Sequence, residues 1–213
     1  MQVNAQVNPG EMMQLFNNTF KGVIFDLDGT LVSSSLDFTA LKLAIACPLD
    51  RDILTFIDSL PIAQAKSAMD IIEQAELTDA NNATRLNGAL ALLDFLLLQQ
   101  IPMAIVTRNS RLAASIKIDR NELPIELVYT RDDGPAKPDP TSLNRIANLW
   151  QIEPEKIAYV GDHLYDVEAA NRAGMQSVLL NFDKPKRYQY QANFVFRDLQ
   201  QLLQAIPSIS LCA

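Results

Sequence analysis

The sequence is poor in cysteine, in histidine and in net positive charge. Its 213 residues include one histidine and only two cysteines, Cys47 and Cys212. The cysteines have neither the spacing of metal ligands nor the density of a disulfide framework, so we expect a reducing, cytoplasmic setting. A formal charge of −7 and a sequence pI near 4.7 argue against nucleic acid as a partner, because binding a phosphate backbone requires a basic face. A small phosphorylated substrate stays open, since it needs only a local positive site.

The start of the chain lacks a long apolar run. Residues 1–20 also lack a basic segment, so we predict neither a signal peptide nor a membrane span there, and we interpret them as a polar lead-in. The composition, 48% hydrophobic and 20% charged, is typical of a globular protein with a full core. The length suits one α/β domain with an appendage, or two small domains. No pattern in the sequence predicts an oligomeric state.

A buried strand followed by two acidic residues stands near the start of the predicted core. Val23 to Phe25 is a short apolar run of the kind found in strands, and it leads into Asp26 and Asp28 before a turn at Gly29. Carboxylates two residues apart on an extended segment point the same way and repel each other unless a cation or a shared proton compensates. Mg²⁺ suits such a site because it takes one or two protein carboxylates together with water and substrate phosphate. A simple acidic turn is the alternative.

Residues 36–85 predict helices and no convincing buried strand. Helical patterns cover residues 37–46, 50–59 and 62–76, with Pro48, Pro61 and two asparagines between or after them. A stretch of roughly fifty residues is far longer than the usual loop after a strand. We therefore predict a small helical cap inserted into a core made of residues 21–35 and 86–213. The alternative is one more helical layer of the main domain.

After Gly88 helices and strands alternate along the chain. Strands are predicted at residues 103–106, 127–129, 157–160, 178–180 and 194–196, and helices at residues 89–99, 141–150, 167–173 and 198–205. This order predicts βαβ units and an α/β fold, a Rossmann-like core with a mostly parallel sheet. Ligands of such sheets lie outside the carboxyl ends of the strands. Six candidate residues lie at or just beyond these ends: Asp26, Asp28, Thr107, Lys137, Asp162 and Asp166.

Each downstream candidate has a simpler explanation when taken alone. Thr107 precedes a helix that Asn109 or Ser110 can cap, where backbone N–H groups face an anion, and capping alone would explain that pattern. Lys137 lies on a segment stiffened by three prolines, which suits a fixed charge, although a solvated lysine is the alternative. Asp162 and Asp166 are four residues apart, on one side of a helix start, where acidic residues are ordinary. These residues are all predicted to lie at the same edge of the sheet, and this shared position favours an active site over the separate explanations.

Together these motifs resemble those of the haloacid dehalogenase-like hydrolase superfamily, and within it the phosphoglycolate phosphatase-like branch. The resemblance covers about residues 22–180 and rests on four motifs in order: Asp26-x-Asp28-Gly29-Thr30, Thr107, Lys137 and Gly161-Asp162-x-x-x-Asp166. It implies a Rossmann-like core with a helical cap inserted after the first motif. It also implies magnesium-dependent hydrolysis of a small phosphorylated metabolite through an aspartyl-phosphate.

The chemistry of the residues agrees with what the resemblance implies. Asp26 is expected to attack phosphorus, and Asp28 to protonate the leaving alkoxide and then to activate water. Thr107 and Lys137 are expected to hold the phosphoryl oxygens, together with backbone N–H groups near Leu27 and Arg108.

The same reasoning predicts the ligands of the metal. Mg²⁺ is expected to be bound by the Asp26 side chain, the Asp28 backbone carbonyl and Asp162. Asp166 is expected to act directly or through a water. His163, the one histidine, is not needed in this scheme.

Two other classes of function remain open. In the phosphoglucomutase relatives the residue after the first-motif glycine is often valine, so Thr30 favours hydrolysis over a phosphosugar mutase. A dehalogenase is disfavoured because Asp28 supplies a second carboxylate, which phosphoryl chemistry uses. A non-catalytic binding module on this fold is expected to lack Asp26 or Lys137, and both are present.

Overall fold

The computed structural model describes residues 20–182 and 184–206. The polar lead-in predicted for residues 1–20 lies outside the described residues except for Phe20, and Cys212 lies outside them as well.

The described residues form a six-stranded, all-parallel sheet with strand order β3-β2-β1-β4-β5-β6. The strands are β1 (Gly22–Phe25), β2 (Met103–Val106), β3 (Leu127–Tyr129), β4 (Ile157–Gly161), β5 (Gln176–Leu180) and β6 (Phe194–Phe196). The central strand β1 is buried along its whole length, which is why its sequence is a continuous apolar run rather than an alternating one. The predicted α/β class with a mostly parallel sheet is confirmed.

Eight α-helices accompany the sheet in the described part of the chain. They are α1 (Phe38–Ala44), α2 (Ile53–Asp58), α3 (Ile62–Asn82), α4 (Ala89–Leu98), α5 (Arg111–Arg120), α6 (Thr141–Trp150), α7 (Leu164–Ala173) and α8 (Leu199–Ala205). None of these described helices combines the length and the apolar character that crossing a membrane requires.

Several helix boundaries differ from the sequence-based prediction, and two of these differences involve residues near the site. Helix α3 runs to Asn82 rather than stopping at residue 76, because Asp79 and Ala80 are buried and nothing before Ala83 breaks the helix. Helix α7 begins at Leu164 rather than at Val167. Its N-cap is His163, whose ring accepts a hydrogen bond from the next turn while Asp166 accepts one from the His163 N–H.

Side chains of β1 point alternately into two hydrophobic clusters on opposite faces of the sheet. Val23 and Phe25 pack with the buried face of α4, whereas Ile24 packs with the buried faces of α6 and α7. Full burial of each such side chain contributes about 1.5–3 kcal/mol to stability. These two clusters hold β1 at the centre of the sheet, and therefore fix the position of the residues that follow it.

The insertion between β1 and α4 has a third, smaller hydrophobic cluster. It is formed by residues of α1–α3 and their connections: Ile45, Cys47, Ile53, Ile57, Ala68 and Ile72. The long helix α3 also packs along α5 of the main domain. The three inserted helices thus share a core of their own, and α3 attaches them to the sheet domain.

Candidate active site

Three carboxylates meet where the adjacent strands β1 and β4 end. Asp26 follows β1, Asp162 follows β4, and Asp166 lies in the first turn of α7. One oxygen of each carboxylate lies within 4.8 Å of the corresponding oxygens of the other two. The Asp28 side chain is not part of this group, so three of the four predicted metal-site residues are brought together through their side chains.

Lys137 is buried between two of these carboxylates. Its Nζ donates to Asp26 Oδ1 at 2.5 Å and to Asp166 Oδ1 at 2.8 Å. The ammonium also lies 5.5 Å from the centre of the Tyr159 ring. With only 4% of its surface exposed, Lys137 is not the solvated lysine of the alternative interpretation.

The three carboxylates carry more negative charge than the two lysines that contact them, Lys137 and Lys186, neutralise. Burial, together with the charges of Asp166 and Asp162, raises the pKa of Asp26 to about 8 despite the opposing effect of Lys137. Burial also raises the pKa of Asp162, against the effect of Lys186, whose ammonium contacts the Asp162 carbonyl and, at 3.3 Å, its carboxylate. Burial disfavours the charged form of Lys137, but the two carboxylates outweigh it and raise the pKa of Lys137. A divalent cation would offset this excess of negative charge.

Two glycines make the close approach of these groups possible. Gly29 has a φ of +71°, and a Cβ on it would lie 2.9 Å from the Asp162 carboxylate. At Gly161 a Cβ would lie 2.4 Å from Cγ of Asp166. Gly161 therefore excludes a side chain because there is no space for one. Gly29 excludes a side chain for the same reason and also because of its positive φ.

Asp28 has a separate set of partners. Its Oδ1 accepts from Lys117 Nζ at 2.5 Å, and its Oδ2 accepts from Asn109 Nδ2 at 2.7 Å. The sequence suggested that one cation would relieve the repulsion between Asp26 and Asp28. Instead the two carboxylates are bound by different lysines, Lys137 and Lys117.

The segment after β2 lies beside the same carboxylates. Thr107 is buried, and its hydroxyl oxygen accepts hydrogen bonds from the backbone and side chain of Asn109. Ser110 is the N-cap of α5, so of the two predicted capping residues it is Ser110 that caps. The Arg108 guanidinium donates to Asp52 at 2.5 Å and lies 4.5 Å from the centre of the Tyr165 ring. Anion binding by the Leu27 and Arg108 N–H groups stays a prediction.

A cavity of about 460 Å³ lies over these groups, between the sheet edge and the insertion. The predicted residues Asp26, Asp28, Thr107, Arg108, Lys137, Asp162 and Asp166 all line it, together with Phe38, Leu41, Lys42, Ile53 and Ile72 from the insertion. His163 also lines the cavity. Its burial lowers its pKa, and its ring packs edge-on against Tyr165 at 4.8 Å.

Sequence reasoning missed several residues that contact the site, and Lys117 is the most consequential. Lys117 shares one face of α5 with Ala113 and Ala114, and all three side chains are buried. A lysine at helical spacing from small apolar residues was the available signal. Asp52, Asn109 and the three serines at 33–35 gave no comparable signal, because polar residues in loops are ordinary.

A family model described as haloacid dehalogenase-like hydrolase matches residues 23–180. A haloacid dehalogenase-like hydrolase domain-containing protein of Arabidopsis thaliana is 32% identical over 180 residues, covering 79% of this chain and 73% of the relative. A solved hydrolase from Pseudomonas syringae superposes with a TM-score of 0.70 at 23% identity, covering 86% of this chain and 96% of that one, and so shows the same fold.

Two further relatives are named as phosphatases. Hexitol phosphatase A of Escherichia coli is 29% identical over 203 residues, covering 85% of this chain and 93% of the relative. A phosphoglycolate phosphatase of Rhodospirillum rubrum is 29% identical over 192 residues, covering 76% of this chain and 80% of the relative. The resemblance inferred from the four motifs is confirmed by these matches.

Proposed function

The chain belongs to the haloacid dehalogenase-like hydrolase family, and from this we propose that it is a magnesium-dependent phosphatase that hydrolyses a small phosphorylated metabolite through an aspartyl-phosphate. The observation that carries the proposal is the buried contact of Lys137 with Asp26 and Asp166 beneath a cavity of metabolite size. A fixed carboxylate beside a fixed ammonium is suited to attack on phosphorus and to charge stabilisation during that attack.

Asp26 is the proposed nucleophile. Among the described residues, Lys137 donates to Asp26 Oδ1 and not to Asp26 Oδ2. The Asp26 Oδ2 atom is therefore available to form the bond to phosphorus while the ester P–O bond breaks. The product of this step is the alcohol and a phosphorylated Asp26. Covalent catalysis of this kind divides one difficult displacement into two easier ones.

Asp28 is the proposed acid and base. In the first step it gives a proton to the departing alkoxide, and in the second it takes a proton from the water that attacks the phosphorylated Asp26. That attack releases inorganic phosphate, restores the Asp26 carboxylate and returns Asp28 to its protonated form. Lys117 and Asn109 fix one oxygen of Asp28 each, which keeps the group beside the cavity.

Thr107 and Lys137 are proposed to hold the phosphoryl oxygens, with the backbone N–H groups of Leu27 and Arg108. The Thr107 hydroxyl oxygen already accepts two hydrogen bonds from Asn109. Its O–H hydrogen therefore points away from Asn109 and is suited to donate to a phosphoryl oxygen. Donors that are fixed before the reaction stabilise shifting charge without having to reorganise.

The residues present fit a magnesium ion. Three carboxylate oxygens lie within 4.8 Å of one another, and burial together with the charges of Asp166 and Asp162 raises the pKa of Asp26. Asp26, Asp162 and the Asp28 backbone carbonyl would hold the ion, with Asp166 directly or through a water. When bound, Mg²⁺ offsets the repulsion between an anionic nucleophile and an anionic phosphate.

We also propose that residues 36–85 are a cap and that residues 21–35 and 86–213 are the catalytic core. The separate hydrophobic cluster of α1–α3 and the position of the cavity beneath them support this division. Such a cover would exclude water from the reacting groups.

Phosphate release from a panel of small phosphate esters tests the proposed function. We expect release with Mg²⁺, none with a chelator in its place, and none from an Asp26→Asn variant that melts like the wild type. Asp94→Asn, which changes an exposed carboxylate on α4, is the matched control and should retain full activity. Isomer interconversion without phosphate release would instead indicate a mutase, and absence of any turnover would indicate a binding module.

A further inference from the structure

Among the described residues, Lys117 has a fully buried ammonium beside the cavity that takes no direct part in the proposed bond-making or proton-transfer steps. Its side chain is completely buried, although it belongs to α5 and lies 89 residues from Asp28 in the sequence. Burying a charge is costly unless it is paired and hydrogen-bonded. The position of Lys117 therefore depends on the groups that its ammonium contacts.

Those contacts join a residue of the active site to a residue of the insertion. The Lys117 ammonium donates to Asp28 at 2.5 Å, to Asp79 at 2.8 Å and to Asn109 at 3.3 Å. Asn109 in turn donates to the second oxygen of Asp28. Both oxygens of the Asp28 carboxylate are thus held in place. Asn109 makes a neutral hydrogen bond to one of them, and Lys117 makes an ion pair with the other.

Asp79 extends this arrangement to both connections between the insertion and the core. It lies near the end of α3, and its oxygens accept from the Ser35 N–H at 2.6 Å, the Ser35 hydroxyl at 2.9 Å and the Ser34 hydroxyl at 3.0 Å. Ser34 and Ser35 belong to the segment that leads from β1 into the insertion. One ammonium therefore holds Asp28 and, through Asp79, the two chain segments that carry the inserted helices.

We propose that Lys117 is a positioning residue that holds the Asp28 carboxyl group where it can protonate the leaving group. Because the same ammonium also binds Asp79, it holds Asp28 at a defined place relative to the end of α3. The inference rests on the proposed function, because it takes Asp28 as the acid of the first step. Lys117 itself acts only through Asp28. A displacement of about 1 Å in a catalytic group can cost on the order of a hundredfold in rate.

The expected signature is a change in leaving-group preference. An alkyl phosphate needs a proton on its departing oxygen, whereas p-nitrophenyl phosphate releases a stable phenolate that needs none. The ratio of kcat/KM for the alkyl ester to kcat/KM for p-nitrophenyl phosphate reports leaving-group protonation, because kcat/KM covers only the steps up to departure of the alcohol. A merely structural role for Lys117 would lower both values equally.

The variants are chosen so that neither buried carboxylate of α3, Asp79 or Glu76, keeps its charge after losing its cation. Asp79→Asn keeps the Lys117–Asp28 contact and should show the wild-type ratio. Adding Lys117→Met to Asp79→Asn removes that contact and should lower the ratio by about tenfold to a hundredfold. The pair Glu76→Gln with Arg131→Met is the matched control, since it removes another buried ion pair of α3 that does not touch Asp28. It should leave the ratio unchanged.

Each outcome of this experiment is decisive. A wild-type ratio in the folded Lys117→Met/Asp79→Asn variant overturns the proposal. If that variant does not fold, Lys117→Arg is measured instead, because its broader cation keeps the charge but changes the geometry, and an unchanged ratio there overturns the proposal as well. If the wild type hydrolyses neither ester, the proposed function fails and this inference fails with it.

Discussion

The hydroxyl of Thr30 is buried without a hydrogen-bond partner among the described residues. Because a buried hydroxyl that makes no hydrogen bond is unfavourable, Thr30→Val should leave the free energy of unfolding unchanged or raise it by about 1 kcal/mol. Chemical denaturation measures this, and phosphate release should be retained. A loss of more than about 1 kcal/mol would show that the hydroxyl has a partner after all.

At the same scale, the sequence identified the residues of the site better than their partners. Asp26, Asp162 and Lys137 could be placed because parallel strands end at one edge, and residues beyond those ends must lie near one another. Lys117 could not be placed, since a helix position gives no information on which carboxylate its side chain will reach. Long-range pairing depends on how α3 and α5 pack, and no local pattern encodes that packing.

At the scale of elements, the junction of β4 and α7 depends on Gly161. A methyl group there would lie 2.4 Å from the Asp166 carboxyl carbon, so Gly161→Ala should displace Asp166 from Lys137 and destabilise the protein by about 1–3 kcal/mol. It should also weaken magnesium binding. The rise in melting temperature on adding Mg²⁺ measures that binding, and it should be smaller in Gly161→Ala than in the wild type. An equal rise in both proteins would contradict the role given to this glycine.

Element boundaries show where local rules suffice. The strand at residues 103–106 and the helix at residues 141–150 were predicted with the bounds observed, and a proline directly precedes each of them. The end of α3 was predicted too early. Its last turn is held by the burial of Asp79 against α5, which is a tertiary contact rather than a propensity. The division into cap and core stays a prediction.

At the scale of the whole molecule, the charge around the cavity predicts which esters are preferred. Six carboxylates and three cationic side chains line it in the described part of the chain. Of these cations, Lys137 is paired with two carboxylates, Arg108 is paired with Asp52, and Lys42 donates to the Leu49 carbonyl at 2.7 Å. A leaving group with its own carboxylate would therefore meet little positive charge.

We expect kcat/KM for an uncharged polyol phosphate to exceed that for 2-phosphoglycolate by about tenfold or more, which corresponds to about 1.4 kcal/mol. Asp52→Asn releases Arg108 from its ion pair and should raise kcat/KM for 2-phosphoglycolate relative to the polyol ester. Asp37→Asn, at the N-cap of α1, is the control that leaves Arg108 paired. Preference for 2-phosphoglycolate in the wild type would show that a cation reorients toward the substrate.

The small hydrophobic core within the insertion has a consequence for how such a protein can diversify. Ile45, Ile53, Ile57 and Ile72 stabilise the inserted helices without help from the residues that hold β1 in the sheet. Substitutions at Phe38, Leu41 or Leu54 can therefore reshape the roof of the cavity while the reactive groups on its floor stay in register. If the proposed function holds, substitutions in the insertion can change which alcohol is accepted without changing the groups proposed to react with the phosphoryl group.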